Sequence, residues 1–235
     1  MSEPVLLFCR QWPVTMALTA LLARAYTVPV IPVYNREQFV RELGEYPDSP
    51  VILGISPHEH VAFLYRLRSL LSGRPVLFVA RRFWWTDYCL PAFAGIALCR
   101  FCTLDALSDA RARRTEINLF KQLPSGGLTE RAGMVSELPD MTAEHILEKA
   151  NFWLYKRMME TGLSGVESMV LLLLSESRRG NLSTRLLSLY KTGGLYKLGM
   201  TKHVINLYRG VKVRPELQVP LPLPDKDVIR GRRGG

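Results

Sequence analysis

An α/β half built on a doubly wound parallel sheet, followed by an all-α half, is the fold class this sequence predicts. Three observations lead there. Five short apolar runs alternate with amphipathic stretches between residues 5 and 107. Those runs are almost continuous in Val, Ile, Leu and Phe, as strands covered by helices on both faces must be. After residue 163 the patterning is helical only. That region is also basic: residues 163–214 hold nine Lys+Arg against two Asp+Glu, in a chain of 235 residues with net charge +10.

The elements follow in order. Val5–Phe8, Val28–Val33, Val51–Ile55, Val76–Val79 and Ile96–Phe101 read as strands, because each is short, apolar and bounded by Pro or Gly. Between them, Val14–Ala25 sets Leu18, Leu21 and Leu22 on one side of a helix, and Arg36–Leu43 forms a second. Glu59–Leu71 repeats Val61, Leu64, Leu67, Leu70 and Leu71 at helical spacing. Phe83–Phe93 stays open between a helix and a loop. Thr103 is placed to cap a last helix through Leu107 and beyond. Five strands in this β-α order fit the flavodoxin-like layout, in which ligands gather at the carboxyl ends of the strands.

Residues 121–141 contain KQLPSGG and SELPD, have little periodicity and read as a linker. Thr142 is an N-cap candidate for a helix with Glu144 in its first turn. Ile146, Leu147, Phe152, Trp153 and Tyr155 make that helix too apolar to stand free. Gly162 ends it. Ser164 and Glu167 form a capping box for the next helix. Ser183 caps a helix over Leu186–Tyr196 that Gly199 stops, while Gly193 and Gly194 weaken it by about 1 kcal/mol each relative to alanine. Thr201 caps a final helix through Arg209. The tail, Pro-rich and then Gly/Arg-rich, cannot build a core and is expected to be extended or disordered.

Several classes are excluded. A chain 48% hydrophobic and 22% charged is not wholly disordered. The longest apolar run, Met169–Leu174, is far short of the ~20 residues of a membrane helix. The start, MSEPVLLFCR, does not read as a signal peptide, and four cysteines do not make a disulfide scaffold. The expectation is a cytoplasmic protein with no membrane partner. The sequence lacks G-x-G-x-x-G, P-loop and G-x-S-x-G motifs, and no nucleophile–base pair stands out, so no enzyme is expected. His58, Glu59 and His60, and the pair Cys99 and Cys102, are the metal candidates. Their alternative readings are a polar loop and two buried small side chains, and the expectation is no metal and no cofactor.

The size and strand order resemble the receiver domain of bacterial response regulators, with SPVILGISPHEH similar to the receiver's third strand and following loop. The resemblance implies an aspartate at the end of that strand, where Gly54 stands. It implies an acidic pair after the first strand, where the chain has Cys9, Arg10, Gln11 and Trp12. It implies a hydroxyl after the fourth strand, where Ala80 stands, and a lysine after the fifth, whereas residues 1–120 contain none. An aspartyl phosphate needs a carboxylate and Mg²⁺ needs hard oxygen ligands. The expectation is therefore a pseudo-receiver, unable to accept a phosphoryl group. The dense aromatic group Phe83, Trp84, Trp85 and Tyr88 either forms a partner surface or packs an irregular helix on its own sheet.

In the basic segment, Leu163-Ser164-x-x-Glu167-x-x-Val170-Leu171 and Lys197-Leu198-Gly199-Met200 resemble the two ends of LuxR-type helix-turn-helix domains. The 30 residues from Glu167 to Lys197 are too few for the family pattern by about one helix and its turn, leaving only Ser177–Leu182 for the helix that braces the recognition helix. What the resemblance implies is duplex DNA as partner, with Ser183, Thr184, Arg185, Ser188 and Lys191 in the major groove. Arg185 would read guanine, Lys191, Lys197 and Lys202 would contact phosphates, and Arg178 and Arg179 would add backbone contacts. A partner surface is expected at Trp84, Trp85, Tyr88, Val204, Leu207 and Tyr208, for a homodimer or for a heterodimer with another regulator. The expected domains are 1–120 pseudo-receiver, 121–161 linker and connecting helix, 162–213 shortened helix-turn-helix, and 214–235 tail. The expected function is transcription regulation without aspartyl phosphorylation. The alternative is a non-enzymatic protein that pairs with an intact regulator and changes that partner's DNA binding.

Overall fold

The computed structural model describes residues 3–24, 28–124 and 141–220. In chain order it forms β1 (Val5–Phe8), α1 (Trp12–Ala23), β2 (Val30–Val33), α2 (Arg36–Glu45), β3 (Val51–Leu53), α3 (Val61–Arg66), α4 (Arg68–Leu71), β4 (Val76–Ala80), α5 (Trp85–Phe93), β5 (Cys99–Thr103), α6 (Leu104–Ser108) and α7 (Ala110–Lys121). Then come α8 (Ala143–Glu160), α9 (Gly165–Ser175), α10 (Thr184–Lys197) and α11 (Val204–Gly210).

All strand pairs are parallel, and the sheet order is β2-β1-β3-β4-β5, the flavodoxin-like doubly wound arrangement. Pro32 pairs with Leu7 from the edge strand β2, where a missing N–H costs no ladder bond on the outer side. Alternation along β1 divides the core. Leu6 and Phe8 join Phe39, Phe63 and Phe78 on one face, while Val5 and Leu7 join Leu18, Leu22, Ile117 and Phe120 on the other. Phe8 and Phe39 stack with ring centroids 4.7 Å apart, fixing α2 to β1.

A third cluster joins the two halves. It takes Val61, Trp85 and Leu90 from α3 and α5 and packs them on Ile146, Leu154, Met158, Leu171, Leu195, Leu207 and Val211. The boundary expected at residue 162 thus falls within continuous packing. Helix α8 is capped by Thr142, which accepts from the His145 N–H at 3.3 Å, and lies on α3 and α5.

Several expectations are corrected. The single helix over Glu59–Leu71 is a 3₁₀ turn at Pro57–Glu59 followed by α3 and α4, because His60 (φ −135°, ψ 32°) leaves helical geometry. Phe83–Phe93 resolves into a loop and α5. The fifth strand begins at Cys99, and Ile96 packs beneath the sheet before it. Thr201 does not cap α11. His203 holds the N-cap position, and Thr201 instead accepts the Asn206 amide through its carbonyl (2.6 Å) and hydroxyl (3.0 Å). Of the expected linker, residues 125–140 lie outside the described residues, as do residues 221–235 of the tail. The tail's start is not loose. Arg214 is buried and donates to the Tyr208 carbonyl (2.7 Å) and to the Ser175 carbonyl. Gln218 donates to the His58 carbonyl (2.7 Å) and accepts from the Val61 N–H (3.1 Å), and the Val219 N–H meets the Glu59 carbonyl at 2.9 Å.

Candidate functional site

The carboxyl end of the sheet is the first place to look for chemistry. There β1 and β3 lie side by side, and the Gly54 N–H donates to the Phe8 carbonyl at 2.8 Å. A Cβ at position 54 would fall 2.8 Å from Cys9 Cβ and 2.9 Å from Cys9 Sγ. Cys9 is buried, so its side chain already fills the space a carboxylate would need. Thr15 ties the loop down by donating to the Cys9 carbonyl at 3.0 Å. Arg10 donates to the Pro220 carbonyl at 2.8 Å, so the start of the tail crosses this edge.

The three polar residues after β3 take separate roles. Asp87, fully buried in the first turn of α5, accepts from the Trp84 N–H (2.7 Å), the His58 N–H (2.8 Å) and His58 Nδ1 (2.9 Å). The helix N-terminus adds favourable field for its charge. His58 Nε2 is buried without a hydrogen bond and has Glu59 Oε1 at 3.5 Å. Glu59 in turn pairs with Arg209 of α11 at 3.2 Å, and the Arg209 carbonyl accepts from Thr86 at 3.0 Å. This chain of contacts runs from α5 to α11. A His–Asp pair could orient a general base, but here the free imidazole nitrogen faces a carboxylate rather than a hydroxyl or thiol. His60 lies apart, with Nδ1 3.1 Å from the Ser56 carbonyl, and burial pushes its imidazole down to about 4. Among the described residues no three His, Cys, Asp or Glu side chains are placed to share a metal ion.

Cys99 and Cys102, three apart on β5, fall on opposite faces of the sheet, in separate core clusters. Burial pushes both thiols up to about 11, away from the thiolate that redox chemistry needs.

In the helical half, α9 starts on its capping box: the Glu167 N–H donates to Ser164 Oγ (3.2 Å) and the Ser164 N–H to Glu167 Oε2 (2.8 Å). The same Glu167 holds Lys197 Nζ at 2.7 Å, and this bond, with the Ser164 N–H, draws its carboxyl below the usual range. Lys197 is thus tied to α9 rather than free for a phosphate. No helix lies between Ser175 and Thr184. The chain turns through Ser177 (φ 60°) and Gly180 (φ 61°), so the bracing helix is absent. Helices α9 and α10 pack directly instead, and Gly193 and Gly194 permit it. A Cβ at 194 would reach 3.0 Å from Leu171 Cδ1 and one at 193 would reach 3.1 Å from Glu167 Oε1. The two glycines trade helix propensity for close approach.

Ser183, Thr184, Arg185 and Ser188 are exposed at the start of α10, and Lys191 is half-buried further along. Ser183 Oγ also accepts the Leu186 N–H at 3.4 Å, as a cap does. Arg178 and Arg179 are exposed on the preceding turn, with Arg178 3.6 Å from Glu176, and Lys202 is exposed before α11. The outer side of α10 is not purely polar, because Leu186, Leu189 and Tyr196 are exposed as well.

The expected partner surface divides. Tyr88, Val204 and Tyr208 are exposed. Trp84 (7%) and Trp85 (9%) at the start of α5 and Leu207 (5%) on α11 are buried, because α11 folds back onto the start of α5. Sequence reasoning missed the His58–Asp87 pair, whose partners are 29 residues apart with no periodic signal. It also missed Arg214 and Gln218, which sit in a stretch whose proline content suggested a free tail. The pattern Trp84-x-x-Asp87, an acid three residues into a helix start, was the one local clue.

No known family profile matches this chain, and no curated protein matches it. Among solved structures, full-length FixJ from B. japonicum is similar, at 13% sequence identity, with 88% of this chain and 95% of that chain covered and a TM-score of 0.38. Among the described residues no helix is long and apolar enough to cross a membrane.

Proposed function

We propose that the chain is a non-enzymatic transcription regulator of the response-regulator kind, cytoplasmic, binding duplex DNA and acting without aspartyl phosphorylation. The observation that carries the second part is Cys9 packed into the space beside Gly54, which leaves the strand end with neither a carboxylate nor room for one. In this reading residues 1–120 are a pseudo-receiver, 121–161 a linker and connecting helix, 162–213 the DNA-binding helices, and 214–235 a tail.

Exposed Arg185, Ser183, Thr184 and Ser188 support the first part. They sit at the N-terminal end of α10, the end that a recognition helix inserts in the major groove. Arg185 would read a guanine edge through its guanidinium fork, while Arg178, Arg179, Lys191 and Lys202 contact phosphates. Lys197 would act indirectly, holding α10 on α9 through Glu167. The test is selection of bound duplexes from a random pool by the untreated protein, repeated after acetyl phosphate and Mg²⁺. An enriched sequence unchanged by that treatment supports the reading, and no enrichment refutes it.

A second reading is favoured by the exposed Leu186, Leu189 and Tyr196 on α10 and by the missing bracing helix. Here the chain forms a homodimer or pairs with an intact regulator and alters that partner's DNA choice, through Tyr88, Val204 and Tyr208. Sedimentation of the isolated chain, and DNA binding measured with and without the partner, separate the two.

A further inference from the structure

We propose that a cleft between the two halves binds a small organic anion with an apolar body, an aryl carboxylate being the simplest member of that class. The cleft holds about 650 Å³ and lies between the loop after β4 and the turn from α10 into α11. That volume is within the ~300–1,000 Å³ of small-molecule sites, and its place beyond the carboxyl end of a central strand is where open α/β sheets receive ligands.

The lining sets the chemistry. Phe83, Trp84 and Met200 provide rings and a thioether for an apolar body. Among the described residues no Asp or Glu lines the cleft. Arg82 is exposed, makes no ion pair among the described residues, and rests its guanidinium 5.5 Å from the Trp84 ring centroid. His203 faces the same space. The Asn206 amide nitrogen is already bound to Thr201. Arg82 is therefore the group that selects charge. A carboxylate would take it bidentately while the ligand's ring lies along Phe83 and Trp84, and an ammonium would meet repulsion with no acid to compensate.

The position gives binding a consequence. Helix α11 is seated on the start of α5 beside this cleft, through Thr86 on the Arg209 carbonyl at 3.0 Å, and at Gly210 a Cβ would stand 2.6 Å from Met200 Sδ. A ligand touching both walls would hold that contact closed and raise the unfolding temperature, with the logarithm of ligand concentration once above its dissociation constant.

Calorimetric titration of the full-length protein with 2-naphthoate, 2-naphthylmethylammonium and inorganic phosphate tests this. The expected result is saturable naphthoate binding with a dissociation constant below about 1 mM, at least about tenfold tighter than either of the other two. Arg82→Gln should weaken naphthoate at least about tenfold with an unchanged unfolding temperature in its absence, while Arg82→Lys, which keeps the charge but not the two-pronged fork, should fall between the parent and the Gln variant. Absence of saturable naphthoate binding would overturn the proposal. So would equal binding of the ammonium or of phosphate, or an unaltered affinity in Arg82→Gln.

Discussion

Asp87 binds His58 twice, accepting the imidazole at 2.9 Å and the backbone N–H at 2.8 Å, and so fixes the loop after β3 to the first turn of α5. The loop then carries Glu59 to Arg209, and Gln218 and Val219 close over its backbone. A buried carboxylate thus organises the junction between an α/β sheet and the helices that follow it.

Removing it should be costly. Asp87→Ala leaves His58 and two backbone N–H groups buried without an acceptor, and should lower stability by about 3–5 kcal/mol. Asp87→Asn keeps the shape and one acceptor oxygen and should lose clearly less. Urea unfolding of both variants checks the order, and equal losses would contradict it by showing that shape and one acceptor oxygen preserve nothing of the Asp87 contribution.

His60 makes stability depend on pH. Burial holds its folded-state value at about 4, against an ordinary 6.5, so below 6.5 the unfolded chain binds a proton that the folded chain refuses. Its contribution is therefore complete above 6.5 and declines as pH falls toward 4. In the His60→Gln variant, stability measured by chemical unfolding from pH 7 to 4.5 should fall less steeply than in the parent. An identical slope would contradict this assignment.

Gly194 inverts the usual propensity rule. Alanine is better than glycine in a helix interior by about 1 kcal/mol. Here the added methyl would meet Leu171, fully buried, at 3.0 Å. Gly194→Ala should destabilise by about 1–3 kcal/mol through overpacking. A stabilised variant, read from its thermal midpoint, would mean that α9 yields easily.

Acetyl phosphate with Mg²⁺ should leave the protein's mass unchanged, and Gly54→Asp should not restore modification. The new side chain would begin 2.8 Å from Cys9 Cβ, so the variant should instead lose stability. A one-phosphate mass gain, lost on hydroxylamine treatment, in either protein would contradict the closed strand end.

Strands β1, β3 and β4 were legible because each is a short apolar run that the sheet buries on both faces, and the caps at Thr103, Thr142, Ser164 and Ser183 were legible because capping is local chemistry. What escaped depends on distant partners. Trp84 and Trp85 read equally as surface or core, and only α11 folding back on α5 decides between them. Gly193 and Gly194 read as weak points until Leu171 and Glu167 are seen against them. Arg214 and Gln218 carry no periodicity, so their bonds to α9, α11 and the loop after β3 left no trace in the pattern. At α10 the exposed polar positions were legible, while Lys197 was not, because its Glu167 partner lies 30 residues away.

The most direct measurement of the central proposal is equilibrium binding of the untreated full-length protein to a fluorescent duplex across a salt series, with Arg185→Ala alongside. Binding through α10 and its neighbouring cations predicts affinity that falls steeply with salt, with a log–log slope of about −4 if Arg178, Arg179, Lys191 and Lys202 meet phosphates. It also predicts a loss of about 1–3 kcal/mol in the variant on a selected site. Affinity independent of salt, no binding at any salt, or an Arg185→Ala protein that binds as the parent does would contradict it.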